Sequence, residues 1–127
     1  MTSLRSSLAE ARGLGSAKEG VGHWWAQRVS AVALVPLALW LVVSLVALTG
    51  ADHAAASAWI ARPWVAVTLL LTLLATFFHL KLGVQVVIED YVHGRLARIA
   101  LELANTFACI ALGLGAAFAV LKVALAG

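Results

Sequence analysis

Three long apolar runs divide the chain, at about residues 29–48, 64–88 and 100–121. Each can cross a bilayer as a helix, which takes about 20 residues. Two short connections, TGADHAAASAWIARP and EDYVHGRLAR, join them. Connections this short make sequential helices antiparallel neighbours. No strand-like alternation is evident, and no internal repeat. The pattern predicts an all-α membrane protein with three transmembrane helices in residues 29–127. Residues 1–28 are polar and glycine-rich, and read as a surface arm with a short helix near residues 3–11.

Composition strengthens this picture. Of the 127 residues, 63% are hydrophobic, and the mean hydropathy is +0.98. A soluble domain is usually about 45–50% apolar. The net charge of +3 comes from basic residues that mostly flank the apolar runs. That placement suits membrane lipids, whereas nucleic-acid binding would want a basic face. Cys109 lies alone inside an apolar run and reads as a packing residue. Basic residues before the first run, with Ala56-Ser57-Ala58 after it, raise a signal peptide. The run is longer than the 7–15 residues such peptides use, so a retained helix is expected.

Lys and Arg also set the orientation. Arg5, Arg12, Lys18 and Arg28 precede the first run, and Arg95 and Arg98 lie between the second and third. On the opposite side are only Arg62 and Lys122. The N-terminus is therefore expected inside and the C-terminus outside. Trp24, Trp25, Trp59 and Trp64 fall at the expected interfaces, and Trp40 falls mid-span. Pro36 is expected to bend the first helix. Ala104, Ala108, Ala111, Gly115 and Ala119 form a stripe of small residues on the third, which is either a close-packing face or alanine filler.

Ionisable groups inside a span are costly, and they are functional candidates by default. His79 is the deepest, after fifteen uncharged residues. Asp90, eleven residues on, is about 20° round an ideal helix and about 16 Å along it. The two share a face. Gly83 is one turn from His79 on that face and Ala75 one turn the other way. An imidazole can ligate iron, and small residues beside it leave room for a flat macrocycle. His79 can equally hydrogen-bond a neighbouring helix or relay protons. His23, His53 and His93 are all shallow. A bis-histidine haem would therefore take its second ligand from another chain.

Lys81 is about 200° round from His79 and faces elsewhere. Asp90-Tyr91 falls at the membrane edge. A phenol there can donate a hydrogen bond to a quinone carbonyl, with the carboxylate assisting. An ordinary interfacial tyrosine is the plainer reading. His93-Gly94 reads as a helix end with glycine at C′. Arg28 opens the first span and can pair with a haem propionate, another subunit or lipid phosphate. Ser30 is a lesser candidate.

The pattern H-x10-DY, here His79 with Asp90-Tyr91, resembles the hallmark of the small membrane-anchor subunit of succinate dehydrogenase, respiratory complex II. GVQVVIEDYVHG is similar to that family's second-helix ending, and GHWWAQRVSAVALVPL to the start of its first helix. The resemblance covers about residue 15 to the end. It implies half of a heterodimeric haem-binding helix bundle in a bacterial cell inner membrane, with a cytoplasmic N-terminus and a periplasmic C-terminus. The implied partners are a second, cytochrome b-like membrane anchor subunit, an iron–sulfur subunit and a flavoprotein subunit. Succinate oxidation would occur on the flavoprotein. The implied cofactor is haem b, with ubiquinone as substrate. By resemblance, His79 is an axial haem-iron ligand and Tyr91 hydrogen-bonds the quinone. Asp90 supports the quinone site, Arg28 lies near the haem propionates or quinone pocket, and Gly83 packs on the haem. His23 and Lys81 take no assigned place. Two rival readings are a small proton-coupled transporter using His79 and Lys81, and a cofactor-free structural anchor.

Overall fold

The computed structural model describes residues 17–126. The short helix expected near residues 3–11 lies outside that range. Four helices follow in order: α1 (Ala17–Ala47), α2 (His53–Ile60), α3 (Pro63–Tyr91) and α4 (Arg95–Ala126). No strand occurs among the described residues. The segments long and apolar enough to cross a membrane are Val21–Ala47, Pro63–Tyr91 and Arg95–Ala126. The shortest has 27 residues, or about 40 Å of helix. All three therefore outreach a hydrocarbon core about 30 Å thick.

α1 begins well before residue 29 and takes in part of the expected arm. Extending a helix that already exists gains one backbone bond per residue, without the cost of a new nucleus. The glycine-rich composition of residues 17–28 is not enough to stop it. The helix also runs through Pro36, whose missing amide leaves the Val32 carbonyl without its usual partner. The chain leaves α1 through Gly50, at φ +84°. This left-handed conformation favours glycine.

The first connection is not a plain loop. Asp52 caps α2, its carboxylate accepting from the Ala55 amide at 2.8 Å. Ala56-Ser57-Ala58 lies inside this short helix. Pro63 then opens α3 at a position where its missing amide costs nothing.

α3 is the centre of the molecule. It packs against α1 on one side and α4 on the other, and α1 and α4 do not meet. Most buried residues belong to it: Val65, Ala66, Thr72, Leu82 and Ile88. Ser30 on α1 and Cys109 on α4 are also buried. At the end near α2, Trp40 stacks on Trp59 at 5.8 Å and meets Trp64 edge-on at 6.3 Å. Trp40 thus belongs to a packing surface.

The α3–α4 contact uses a different face from the stripe of small residues. Asn105 Nδ2 donates to the Lys81 carbonyl at 3.0 Å. A Cβ added at Gly113 would lie 3.6 Å from the Phe77 ring. Asn105, Cys109 and Gly113, four apart, form the seam. Ala104, Ala108, Ala111, Gly115 and Ala119 are all exposed.

The glycine reading at the end of α3 is also corrected. The cap is Val92, in an extended conformation at φ −101° and ψ 116°. Gly50 is the only positive-φ glycine among the described residues, so Gly94 is not left-handed. A side chain replaces the left-handed cap: Arg98 Nε and an Arg98 terminal nitrogen donate to the Val92 carbonyl at 3.3 and 3.1 Å. Gly94 instead starts α4, its carbonyl accepting from the Arg98 amide at 2.9 Å.

Candidate functional site

The polar residues of the middle span sort by the side of α3 they occupy. His79 faces α1, where its Nδ1 lies 2.8 Å from Ser30 Oγ. Lys81 borders an apolar groove of about 320 Å³ between α3 and α4. Phe77, Phe78 and Ile110 also line that groove. The two side chains are therefore not brought together, as their angular separation predicted. That arrangement does not favour a His79–Lys81 relay.

His79 is half-buried, and its contact to Ser30 is the link to a neighbouring helix anticipated as one reading of a deep histidine. It uses only one ring nitrogen. Nε2 has no hydrogen-bond partner among the described residues. By helix rise, His79 is about 18 Å from Tyr91 and about 22 Å from Trp64, which places it near mid-membrane. One turn on, a Cβ built on Gly83 would meet nothing within 4 Å. The space beside the imidazole is thus open. Among the described residues, no three His, Cys, Asp or Glu side chains cluster as a metal site. His79 is a single candidate ligand, with one free nitrogen facing an uncovered flank. Those features fit one half of a bis-histidine haem site.

Asp90 and Tyr91 end α3 on the surface, with Tyr91 77% exposed. The Arg98–Val92 contact fixes the turn immediately after them. Gln85 Nε2 donates to Glu89 one turn on, at 3.1 Å, which leaves Asp90 outside that pair. Arg28 is exposed, and its guanidinium lies 5.4 Å from the Trp24 ring centroid. It makes no hydrogen bond or ion pair to His79, Asp90 or Tyr91 among the described residues. It is about 200° round α1 from Ser30, which is buried against α3. Among the described residues, His23 Nε2 is buried without a hydrogen-bond partner.

Three contacts were not anticipated from sequence: Ser30 with His79, Asn105 with Lys81, and Arg98 with Val92. Each polar residue lies in or beside an otherwise apolar helix, and that was the available signal. The partner of each depends on how the helices and turns pair.

The chain matches the family model described as succinate dehydrogenase/fumarate reductase transmembrane subunit over residues 2–120. It is 37% identical over 89 residues to the succinate dehydrogenase hydrophobic membrane anchor subunit of Rickettsia bellii, covering 70% of this chain and 71% of that one. The protein of the same name from Rickettsia conorii is 32% identical over 108 residues, covering 84% and 86%. That of Paracoccus denitrificans is 33% identical over 97 residues, covering 76% and 75%. No solved structure matches the chain. A match along nearly its whole length, to a family of helical membrane subunits, agrees with three apolar helices of which the central one carries a few polar residues. The chain belongs to the family of succinate dehydrogenase/fumarate reductase transmembrane subunits.

Proposed function

We propose that this chain is the membrane-anchor subunit of a bacterial inner-membrane succinate dehydrogenase, and that with a second anchor subunit it binds haem b and ubiquinone. The observation that carries this reading is His79: deep in the span, tied through Nδ1, with Nε2 free on an open flank. A histidine serving structure alone needs no cleared space beside it. Here the neighbouring turn carries Gly83, with open space where a side chain would lie.

His79 Nε2 is the nitrogen that would hold the iron, and the partner anchor would supply the opposite imidazole. Bound there, haem b would supply a one-electron redox centre. Gly83, with no side chain and open space beside it, would leave room for a macrocycle next to α3. Arg28 is exposed on the side of α1 away from Ser30, and its pairing with a propionate or the quinone pocket rests on the family resemblance alone.

Ubiquinone takes up two electrons and two protons to become the quinol. The electrons originate from succinate on the flavoprotein subunit and arrive through the iron–sulfur subunit. The Tyr91 hydroxyl donates a hydrogen bond to one quinone carbonyl and stabilises the negative charge that develops there. The Asp90 carboxylate, beside it at the cytoplasmic surface, takes protons from water and passes them toward that oxygen. Neither residue oxidises succinate, so the chain is not catalytic alone.

Tyr91→Phe in the purified complex tests the quinone assignment. Succinate-dependent ubiquinone reduction should fall about tenfold, the value of one hydrogen bond of ~1.4 kcal/mol. Succinate oxidation with a soluble artificial acceptor should persist. Unchanged ubiquinone reduction would remove Tyr91 from the site, and equal loss of both activities would point to misassembly instead.

A further inference from the structure

Ser30 is buried, with 6% of its surface exposed, in an apolar stretch of α1. Its hydroxyl is within hydrogen-bond distance of two groups. The Gln27 carbonyl lies 3.0 Å away and His79 Nδ1 lies 2.8 Å away. A hydroxyl has one proton to give and lone pairs to receive with. A carbonyl oxygen only accepts, so the Ser30 proton goes to Gln27. With its proton given to Gln27, Ser30 Oγ is an acceptor for His79, an arrangement in which the proton of the neutral imidazole sits on Nδ1. The opposite nitrogen, Nε2, is left bare, with its lone pair pointing away from α1.

We propose that Ser30 is a positioning residue for the haem ligand: it selects the Nδ1–H tautomer of His79, fixes the ring plane and raises the electron density at Nε2. This rests on the haem reading above and goes beyond it, because it assigns a role to a residue on a different helix from the ligand. A metal-binding imidazole is oriented and made more basic by a hydrogen bond from its other N–H. The acceptor here is a hydroxyl already polarised by its own donation to the Gln27 carbonyl, and such chains strengthen each bond. A more basic imidazole favours ferric over ferrous iron. Ser30 therefore holds the haem reduction potential below the value an unsupported His79 would give. The same contact pins α1 to α3 at the depth of the haem, so ligand orientation and helix register are set together.

The test is a redox titration and a low-temperature electron paramagnetic resonance spectrum of the whole purified complex, for wild type, Ser30→Ala and Ser30→Thr. Ser30→Ala should keep haem bound but raise its reduction potential and shift the ferric g-values, because the imidazole is less basic and free to turn. Ser30→Thr keeps the hydroxyl and should restore both toward wild type. A merely structural serine would lower the yield of complex without moving potential or g-values in the complex that remains. Should Ser30→Ala fail to assemble, Ser30→Cys decides: a thiol is a weaker acceptor, and the potential should rise by a smaller step. Unchanged potential and g-values in Ser30→Ala, or in Ser30→Cys where that is the variant used, overturn the inference while the haem reading stands. A wild-type complex without b-type haem overturns the haem reading, and this inference with it.

Discussion

At the scale of single residues, the site depends on what is placed beside His79 and on what is left out. Gly83 leaves open space, so the fold itself has room for a side chain there. Gly83→Ala should leave assembly unchanged, because its Cβ meets no neighbour. Gly83→Leu should fill the haem's place and cut the haem-to-protein ratio of the purified complex by half or more. A full haem complement in Gly83→Leu would remove that residue from the site. His79, Gly83 and Asp90 were legible in the sequence because they lie on one helix, where spacing alone fixes the face. The sequence points to Arg28 before Ser30, and in the structure it is Ser30 that meets His79. Ser30 is buried against His79, while Arg28 faces outward over Trp24. Which residue of α1 meets His79 depends on the register between two helices. That register is set by the whole connection through α2, and no local spacing encodes it.

At the scale of elements, the helix ends explain where the polar groups sit. The apolar runs located the three spans, because twenty apolar residues in sequence have few other stable placements. Their ends were less legible. α1 continues back to Ala17 through residues whose composition suggested an arm, and α2 forms inside what read as a loop. The cues for α2 are short: a capping aspartate, an alanine-rich run and a proline beyond it. Asp52→Ala should destabilise the α1–α3 connection by about 1 kcal/mol. Gly50→Ala should cost roughly 1–2 kcal/mol, since alanine resists the left-handed region. Both should appear as lower thermal midpoints of the detergent-purified complex, with haem content retained at low temperature. At the other end of α3, Arg98 does the work expected of a glycine cap. Arg98→Ala frees the Val92 carbonyl and loosens the turn next to Tyr91. The KM for ubiquinone should rise severalfold, while the haem spectrum and soluble-acceptor activity stay as in wild type. An unchanged KM would separate this turn from the quinone site.

At the scale of the whole molecule, three long helices bury very little among themselves. Large apolar residues remain exposed along α1, α3 and α4, among them Val32, Leu39, Leu74, Phe107, Leu114 and Phe118. Lipid satisfies such a surface, and so does another membrane subunit. The open flank at His79 and Gly83 favours a subunit on that side. Orientation belongs to this scale too: the excess of Lys and Arg in the N-terminal segment and the α3–α4 turn predicts an external C-terminus. A C-terminal alkaline phosphatase fusion should be active, and an inactive one would invert the assignment. The central claim is that this chain supplies one half of a haem site shared with a second anchor. The most direct test is a reduced-minus-oxidised spectrum of the complex purified through a tag on this chain, with its subunits identified, for wild type and His79→Ala. A b-type haem in wild type, with a second anchor, a flavoprotein and an iron–sulfur protein present, and its loss in an assembled His79→Ala complex, is the predicted result. A colourless self-associated wild-type protein, or a normal haem content in the assembled variant, would contradict it.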